Sequence, residues 1–314
     1  MSQRFGLIGA AGYIAPRHLE ALKTLGHQLV VAMDVSDSVG IIDRYFPEAD
    51  FFTEFEQFAA FIEDLNRQEH RLDYLIVCSP NYLHLPHIKF GLRNGINVIC
   101  EKPLVLDVLD LERLKDYEQF YSAKVYSILQ LRLHPAIIEL RADVLSSTTT
   151  DLFDVDLTYL TSRGDWYLKS WKGVDEKSGG LAANIGVHFF DMLSFVFGGI
   201  RRNEIHHRDS KTCCGYAEYQ RARVRWFLSI DAKFLPQEII GCGKSTFRSL
   251  CVEGKEVEFS DGFTDLHTQS YREILAHTGY GIDDNYAAIK TISDIRTSTI
   301  VENPAMFHPL LRKV

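Results

Sequence analysis

At 314 residues the chain is long enough for two domains or one large one, and 46% hydrophobic residues supply cores that a disordered chain lacks. The net charge of −8 argues against nucleic acid and anionic membranes as main partners, though not against an anionic substrate in a local basic pocket. No apolar run approaches a membrane span, and Met1-Ser2-Gln3-Arg4 leads into a strand without a secretory signal. The six cysteines include no Cys-x-x-Cys pair, so a reducing cytoplasm is expected and neither a metal nor a disulfide framework is.

The first strand is Phe5–Ile8, followed by Gly9-Ala10-Ala11-Gly12-Tyr13-Ile14-Ala15. Glycines permit a tight turn and bring backbone N–H groups to a pyrophosphate, and the next helix, His18–Leu25, offers its positive end. Gly9, Gly12, Tyr13 and Ile14 are therefore cofactor candidates. The spacing exceeds Gly-x-Gly-x-x-Gly by one residue, and an ordinary strand–helix turn is the plain alternative. Asp34 ends the strand Leu29–Met33, about twenty residues on, where an acid holds both ribose hydroxyls and repels a 2′-phosphate. That placement favours NAD over NADP; a surface-turn aspartate is the alternative.

Helical patterns at Phe55–Asn66, Pro86–Asn94 and Val108–Tyr121 alternate with strands Tyr74–Cys78, Ile96–Cys100 and Val125–Leu129. Such alternation predicts a doubly wound parallel sheet of Rossmann type. Ser79-Pro80-Asn81-Tyr82-Leu83-His84 leaves one of these strands and Glu101-Lys102-Pro103 leaves the next. The carboxyl ends of such strands are where open α/β sheets bind ligands, whereas a structural ion pair more often lies on a helix face. Ser79, Pro80, Asn81, His84, Glu101 and Lys102 join the cofactor candidates, with Glu101 expected to pair with Lys102 or to contact the ribose. His84-x-x-His87 is helically spaced, but Leu83, Leu85 and Ile88 around it indicate helix packing rather than a metal.

The pattern changes near residue 122, dividing a nucleotide-binding domain, 1–122, from a second domain, 123–314. Gln130 and Arg132 follow the last parallel strand and reach toward the cofactor or the substrate; Arg132 equally suits the domain junction. After a helix at Pro135–Leu145, the stretch Leu152–Thr161 alternates apolar and polar residues, as Tyr216–Ile230 and Thr246–Phe259 also do. Period two predicts a mostly antiparallel open sheet, and helices at Ala182–Phe197, Thr268–His277 and Tyr286–Thr299 make the domain α+β. Arg163, Lys169 and Lys172 cluster with Trp166, Tyr167 and Trp171 in the loop before the helix containing Asn184 and His188. A solvated loop with aromatic anchors is the plain reading; a subsite for phosphate and carboxylate is the functional one.

The glycine turn, the Ser79–His84 run, Glu101-Lys102-Pro103 and the segment Gly179–Asp191, taken in that order, resemble the Gfo/Idh/MocA oxidoreductases over nearly the whole chain. Within that family, Ser162–Gly173 and Asn184–Asp191 are similar to UDP-N-acetylglucosaminuronate 3-dehydrogenases of bacterial surface-polysaccharide synthesis, lipopolysaccharide O-antigen included. The resemblance implies NAD as cofactor, oxidation of the sugar C3 hydroxyl, a homo-oligomer (dimer or tetramer), and an aminotransferase acting on the product. It implies that Asn184, where many members carry Asp, orients sugar hydroxyls and transfers no proton.

Removing hydride from a secondary alcohol requires the hydroxyl proton to leave as well. His188 titrates near neutrality, and Lys102 in a desolvated cleft beside a cationic ring loses proton affinity. The expectation is that His188 accepts the proton while Lys102 hydrogen-bonds the same oxygen; the reverse division stays open. Asn184, His188 and Asp191 fall on one helical stripe, so a core histidine satisfied by Asp191 is the bland alternative. Arg163, Tyr167, Trp171 and Lys172 complete the expected substrate set with Lys102, Asn184 and His188. Rival readings are a dehydrogenase or glycosidase for another sugar or inositol, and a non-catalytic NAD(H) sensor.

Overall fold

A computed structural model describes residues 2–68, 70–259 and 265–313. It divides into two compact units, Met1–Gln130 with Thr264–Tyr286, and Leu131–Phe263 with Ala287–Val314. In the first, β1 (Arg4–Ile8), α1 (Ala15–Leu25), β2 (Gln28–Met33), α2 (Ile41–Tyr45), β3 (Asp50–Phe52) and α3 (Phe55–Arg67) form one winding. The other winding is β4 (Tyr74–Val77), α4 (His84–Arg93), β5 (Asn97–Cys100), α5 (Val108–Tyr121) and β6 (Val125–Ser127).

The six strands pair in the order β3-β2-β1-β4-β5-β6, all parallel. Every residue of β4 is buried, as its unbroken apolar run requires of a strand covered on both faces. Strand order reverses between β1 and β4, the switch point at which such sheets hold ligands. Local signals set the helix ends. Pro16 opens α1 and Gly26 closes it in the left-handed region, while the Asp107 side chain accepts from the Leu109 N–H at the start of α5.

The second unit contains α6 (Pro135–Ser146), β7 (Phe153–Thr161), α7 (Trp166–Lys169), α8 (Asp175–Ser178), α9 (Val187–Phe197) and β8 (Ile200–Arg208). It continues through β9 (Thr212–Tyr219), β10 (Ala222–Ser229), α10 (Gln237–Gly241), β11 (Thr246–Val252) and β12 (Lys255–Glu256). Its sheet runs β12-β11-β7-β10-β9-β8; only the β7–β10 pair is parallel. The expected α/β plus α+β architecture therefore holds.

The chain then returns to the first unit with α11 (Leu266–Leu275) before α12 (Tyr286–Thr297) rejoins the second. Tyr271 and Ile274 of α11 pack into the same core as Leu19 and Leu22 of α1. The sequence boundary at 122/123 thus differs from this division, because β6 completes the parallel sheet and α11 docks on it. Against the expectation of no membrane-length run, Asp175–Phe197 spans 23 residues of apolar character; 67% of its most apolar window is buried, as in a core helix.

Candidate active site

Gly9 adopts a φ of +92°, and a Cβ there would lie 2.6 Å from the Cys78 carbonyl carbon and oxygen. Glycine alone lets the β1 turn press against the exit of β4. The turn is closed by Gly12 N–H to Gly9 O (3.1 Å), and the Gly9 N–H donates to Met33 O (2.8 Å). Asp34 at the end of β2 accepts the Ala11 N–H through Oδ2 (3.0 Å) and the Ser36 N–H through Oδ1 (3.0 Å), tying the second strand to the turn. Tyr13 is almost fully exposed and Ile14 half-buried at the mouth of α1.

At the exit of β4, the Ser79 hydroxyl meets His87 Nδ1 (2.9 Å). His84 lies between two carbonyl oxygens, Pro103 O at 2.7 Å from Nδ1 and Ser79 O at 2.8 Å from Nε2. A neutral ring donates to only one of them, and burial opposes a second proton by pushing its pKa down, against the pull of both carbonyls. His84 thus ties the Ser79–Pro80–Asn81 turn to the Lys102–Pro103 turn. Asn81 is buried, and the amide oxygen of Gln130 is buried with no hydrogen-bond partner among the described residues.

Sequence reasoning missed two neighbours of Glu101. Its Oε1 lies 3.0 Å from His18 Nε2 and 3.1 Å from His267 Nε2, and its Oε2 is 3.3 Å from the Lys102 backbone N–H. Burial pushes this carboxyl up, but the two imidazole hydrogen bonds prevail and hold it well below the usual range. Burial lowers the Lys102 pKa, opposed by the charge of Glu101. His18 and His267 carry no motif; the only sequence signal was a histidine on the apolar face of each helix.

In the second unit, Tyr167 of α7 is buried and its hydroxyl accepts a hydrogen bond from Asn184 Nδ2. Burial pushes the phenol up to about 12, so it stays protonated, while the Asn184 bond and the charge of Arg163 pull the other way. Trp171 carries the Lys172 ammonium 3.8 Å from its ring centroid. Gly173 turns tightly under Leu168, whose carbonyl a Cβ would meet at 2.2 Å. Arg163 is exposed, its backbone N–H bonded to Ile230 O (3.1 Å).

A π-type turn over Ala182–Gly186 carries Asn184, and His188 follows on α9; both are half-buried. Asp191, by contrast, is 2% exposed and receives Arg132 Nη2 (2.7 Å) and Nε (3.1 and 3.2 Å). The expected single polar stripe of Asn184, His188 and Asp191 is therefore split. Lys102 belongs to the first unit and His188 to the second.

The turn, the acid at the β2 end, the switch point and the unpartnered Gln130 oxygen suit a dinucleotide. The first unit is a nucleotide-binding module of the oxidoreductase type. A family model described as an oxidoreductase family with an NAD-binding Rossmann fold matches residues 3–128, and its C-terminal alpha/beta domain matches residues 151–234. The chain belongs to the Gfo/Idh/MocA oxidoreductase family.

Among solved structures it resembles the WlbA (WbpB) dehydrogenase of Thermus thermophilus at 48% identity, covering 99% of this chain and 100% of that one. The TM-score is 0.95 for the complex with NAD and α-ketoglutarate and 0.94 for that with NAD and UDP-GlcNAcA. Glucose-6-phosphate 3-dehydrogenase of Bacillus subtilis (strain 168) is 23% identical over 198 residues, 62% of this chain and 54% of that one. The match thus spans about half the length of that curated relative.

Proposed function

We propose that the chain is an NAD-dependent dehydrogenase that oxidises the C3 hydroxyl of UDP-N-acetylglucosaminuronate to the 3-keto sugar. The observation that carries this reading is full-length similarity at 48% identity to a dehydrogenase solved with NAD and UDP-GlcNAcA. Bound NAD supplies the hydride acceptor. Gly9, Gly12, Tyr13, Ile14 and Asp34 hold its pyrophosphate and adenosine ribose; Ser79, Pro80, Asn81, His84, Glu101, Lys102 and Gln130 shape the nicotinamide side. His188 accepts the hydroxyl proton and Lys102 donates a hydrogen bond to the same oxygen, steadying its charge as the C–H bond breaks. Arg163 and Lys172 meet the substrate's anionic groups, Trp171 braces Lys172, and Tyr167 holds Asn184 toward the sugar hydroxyls.

The family resemblance supports a cytoplasmic homo-oligomer, dimer or tetramer. The product ketone is the carbonyl an aminotransferase needs, so such an enzyme is the partner reaction. The test is NADH formation with a panel of sugar nucleotides, simple sugars and inositol, with and without α-ketoglutarate, the ligand in the other Thermus complex. Turnover confined to UDP-N-acetylglucosaminuronate is expected. Turnover of inositol alone would replace the substrate, and cofactor binding without turnover of any sugar would leave a sensor. Lys102→Met and His188→Asn should each lower kcat by about a hundredfold or more; a variant at wild-type rate would remove that residue from the chemistry.

A further inference from the structure

Three side chains far apart in the sequence meet at one point in the first unit. Glu101 stands at the exit of β5, His18 lies 83 residues earlier on α1, and His267 lies 166 residues later on α11. One carboxylate oxygen serves both rings: Glu101 Oε1 is 3.0 Å from His18 Nε2 and 3.1 Å from His267 Nε2. The other oxygen, Oε2, takes the Lys102 backbone N–H at 3.3 Å. The imidazoles therefore crowd one oxygen instead of sharing the pair. The three ligand atoms lie within 4.8 Å of one another, and all three residues are at least 95% buried. The expectation of no metal came from the cysteines and from His84 and His87, whereas this set is assembled by tertiary packing and leaves no spacing in the chain.

Hydrogen bonds alone account for the two short contacts, with each ring donating from Nε2. They do not call for two donors at one oxygen, and apolar residues would fill this buried point at less cost. A tetrahedral zinc ion does call for such convergence. With bonds of about 2.0–2.1 Å its ligand atoms lie about 3.4 Å apart, about 0.3 Å beyond the two spacings seen. Two imidazoles on such an ion hold their ring centroids about 5 Å apart. Those of His18 and His267 are 5.2 Å apart, with the rings at 83°. Ligating histidines also need a partner at the second ring nitrogen. Tyr271 Oη, on α11, is 2.7 Å from His18 Nδ1. Moving the His18 proton from Nε2 to Nδ1 frees Nε2 for a metal and lets Nδ1 donate to that phenol oxygen.

We propose that His18, Glu101 and His267 form a binding site for a divalent transition metal, zinc before others. Two imidazoles and a carboxylate suit zinc, whereas magnesium and calcium take oxygen ligands. Burial of all three ligands favours zinc's low coordination number over the open octahedral positions of an iron(II) site, and leaves the fourth position to a water. The ion fastens α1, the exit of β5 and α11 at one point. It thereby holds the returning segment Leu266–Leu275 on the parallel sheet.

The test is the metal content of the untagged full-length protein, measured by inductively coupled plasma mass spectrometry after equilibration with zinc sulfate and desalting. About one zinc per chain is expected in the wild type, falling at least about tenfold in folded His18→Leu and His267→Leu. Tyr271→Phe keeps all three ligands and should weaken zinc binding about 10- to 100-fold in competition with a chelating dye. If the leucine variants do not fold, Co²⁺ substitution in the wild type decides, through the visible bands of a tetrahedral cobalt ion. Less than about a tenth of an equivalent of divalent metal in the wild type overturns the proposal. So does zinc retained in full by both folded leucine variants, or a cobalt spectrum of octahedral type. None of these measurements depends on turnover, so a failure to oxidise any sugar would leave the site standing.

Discussion

His308 lets the acid sensitivity of the second unit be worked out from one side chain. Its ring is 3% exposed, 5.4 Å from Phe227, with Nε2 at 3.1 Å from Thr158 Oγ1. Nδ1 accepts the Leu310 N–H (3.2 Å), so the neutral ring carries its proton on Nε2, and a second proton would displace that donor. Burial, aided by the charge of Arg225, lowers the pKa from 6.5 to about 3. The unfolded chain therefore takes up a proton below pH 6.5 that the folded chain refuses until about pH 3. The stability contributed by the neutral ring is complete above the unfolded pKa and drains away as pH falls through this window. The slope is about 1.4 kcal/mol per pH unit, and three and a half units give about 5 kcal/mol in all.

His308→Gln removes the titration while filling much of the space. Urea unfolding followed by tryptophan fluorescence reports on this unit, because Trp166, Trp171 and Trp226 all belong to it. Between pH 6 and pH 4 the wild type should lose stability more steeply than the variant by about 1.4 kcal/mol per pH unit. Equal slopes would show that the ring is protonated in the folded protein and would refute the reasoning.

Gly9→Ala forces a Cβ to 2.6 Å from the Cys78 backbone at a positive φ, which costs about 1–2 kcal/mol before any clash. NAD affinity by titration calorimetry should fall at least about tenfold, and unchanged affinity would sink the turn's assignment. Arg132→Met removes the guanidinium donors to buried Asp191 and should destabilise the second unit by about 3–5 kcal/mol. Adding Asp191→Leu should recover most of that loss in the same urea assay. Tyr167→Phe removes the acceptor for Asn184 and should raise KM for the UDP-sugar several-fold with a smaller change in kcat. Because the phenol is pushed up to about 12, the variant should match the wild-type pH profile below pH 10 or so.

The parallel sheet was legible because β4 is apolar throughout and β5 is apolar and buried after Asn97, as strands covered on both faces must be. β3 escaped notice because three residues carry no period. β8 did so because this edge strand is broken by Arg201, Arg202, Asn203 and Glu204 rather than alternating cleanly. Tyr216–Ile230 reads as one strand-like stretch, but it covers the end of β9 and all of β10, joined at Gln220-Arg221 with no glycine, proline or asparagine to mark the turn. Motif residues at strand exits could be placed from the sequence because strand ends fix their positions. The partners of Glu101 could not, since α11 meets α1 through tertiary contacts, those of Tyr271 and Ile274 among them, that no local pattern signals.

The helix of the second unit shows why a stripe drawn on an ideal α-helix misleads here. Asn184, His188 and Asp191 would share one face at 3.6 residues per turn, but the turn over Ala182–Gly186 is of π type and changes that phase. Gly186 sits where a Cβ would meet Leu228 at 2.5 Å, so this part of the helix lies directly on β10. The helix then sorts its polar groups by what burial costs each. Asp191 is buried and takes the Arg132 fork, whereas Asn184 and His188 stay half-buried, with Tyr167 supporting the first. A carboxylate so enclosed is a brace for the helix. His188, one turn before it, stays half-buried, which is compatible with the role of proton acceptor proposed for it.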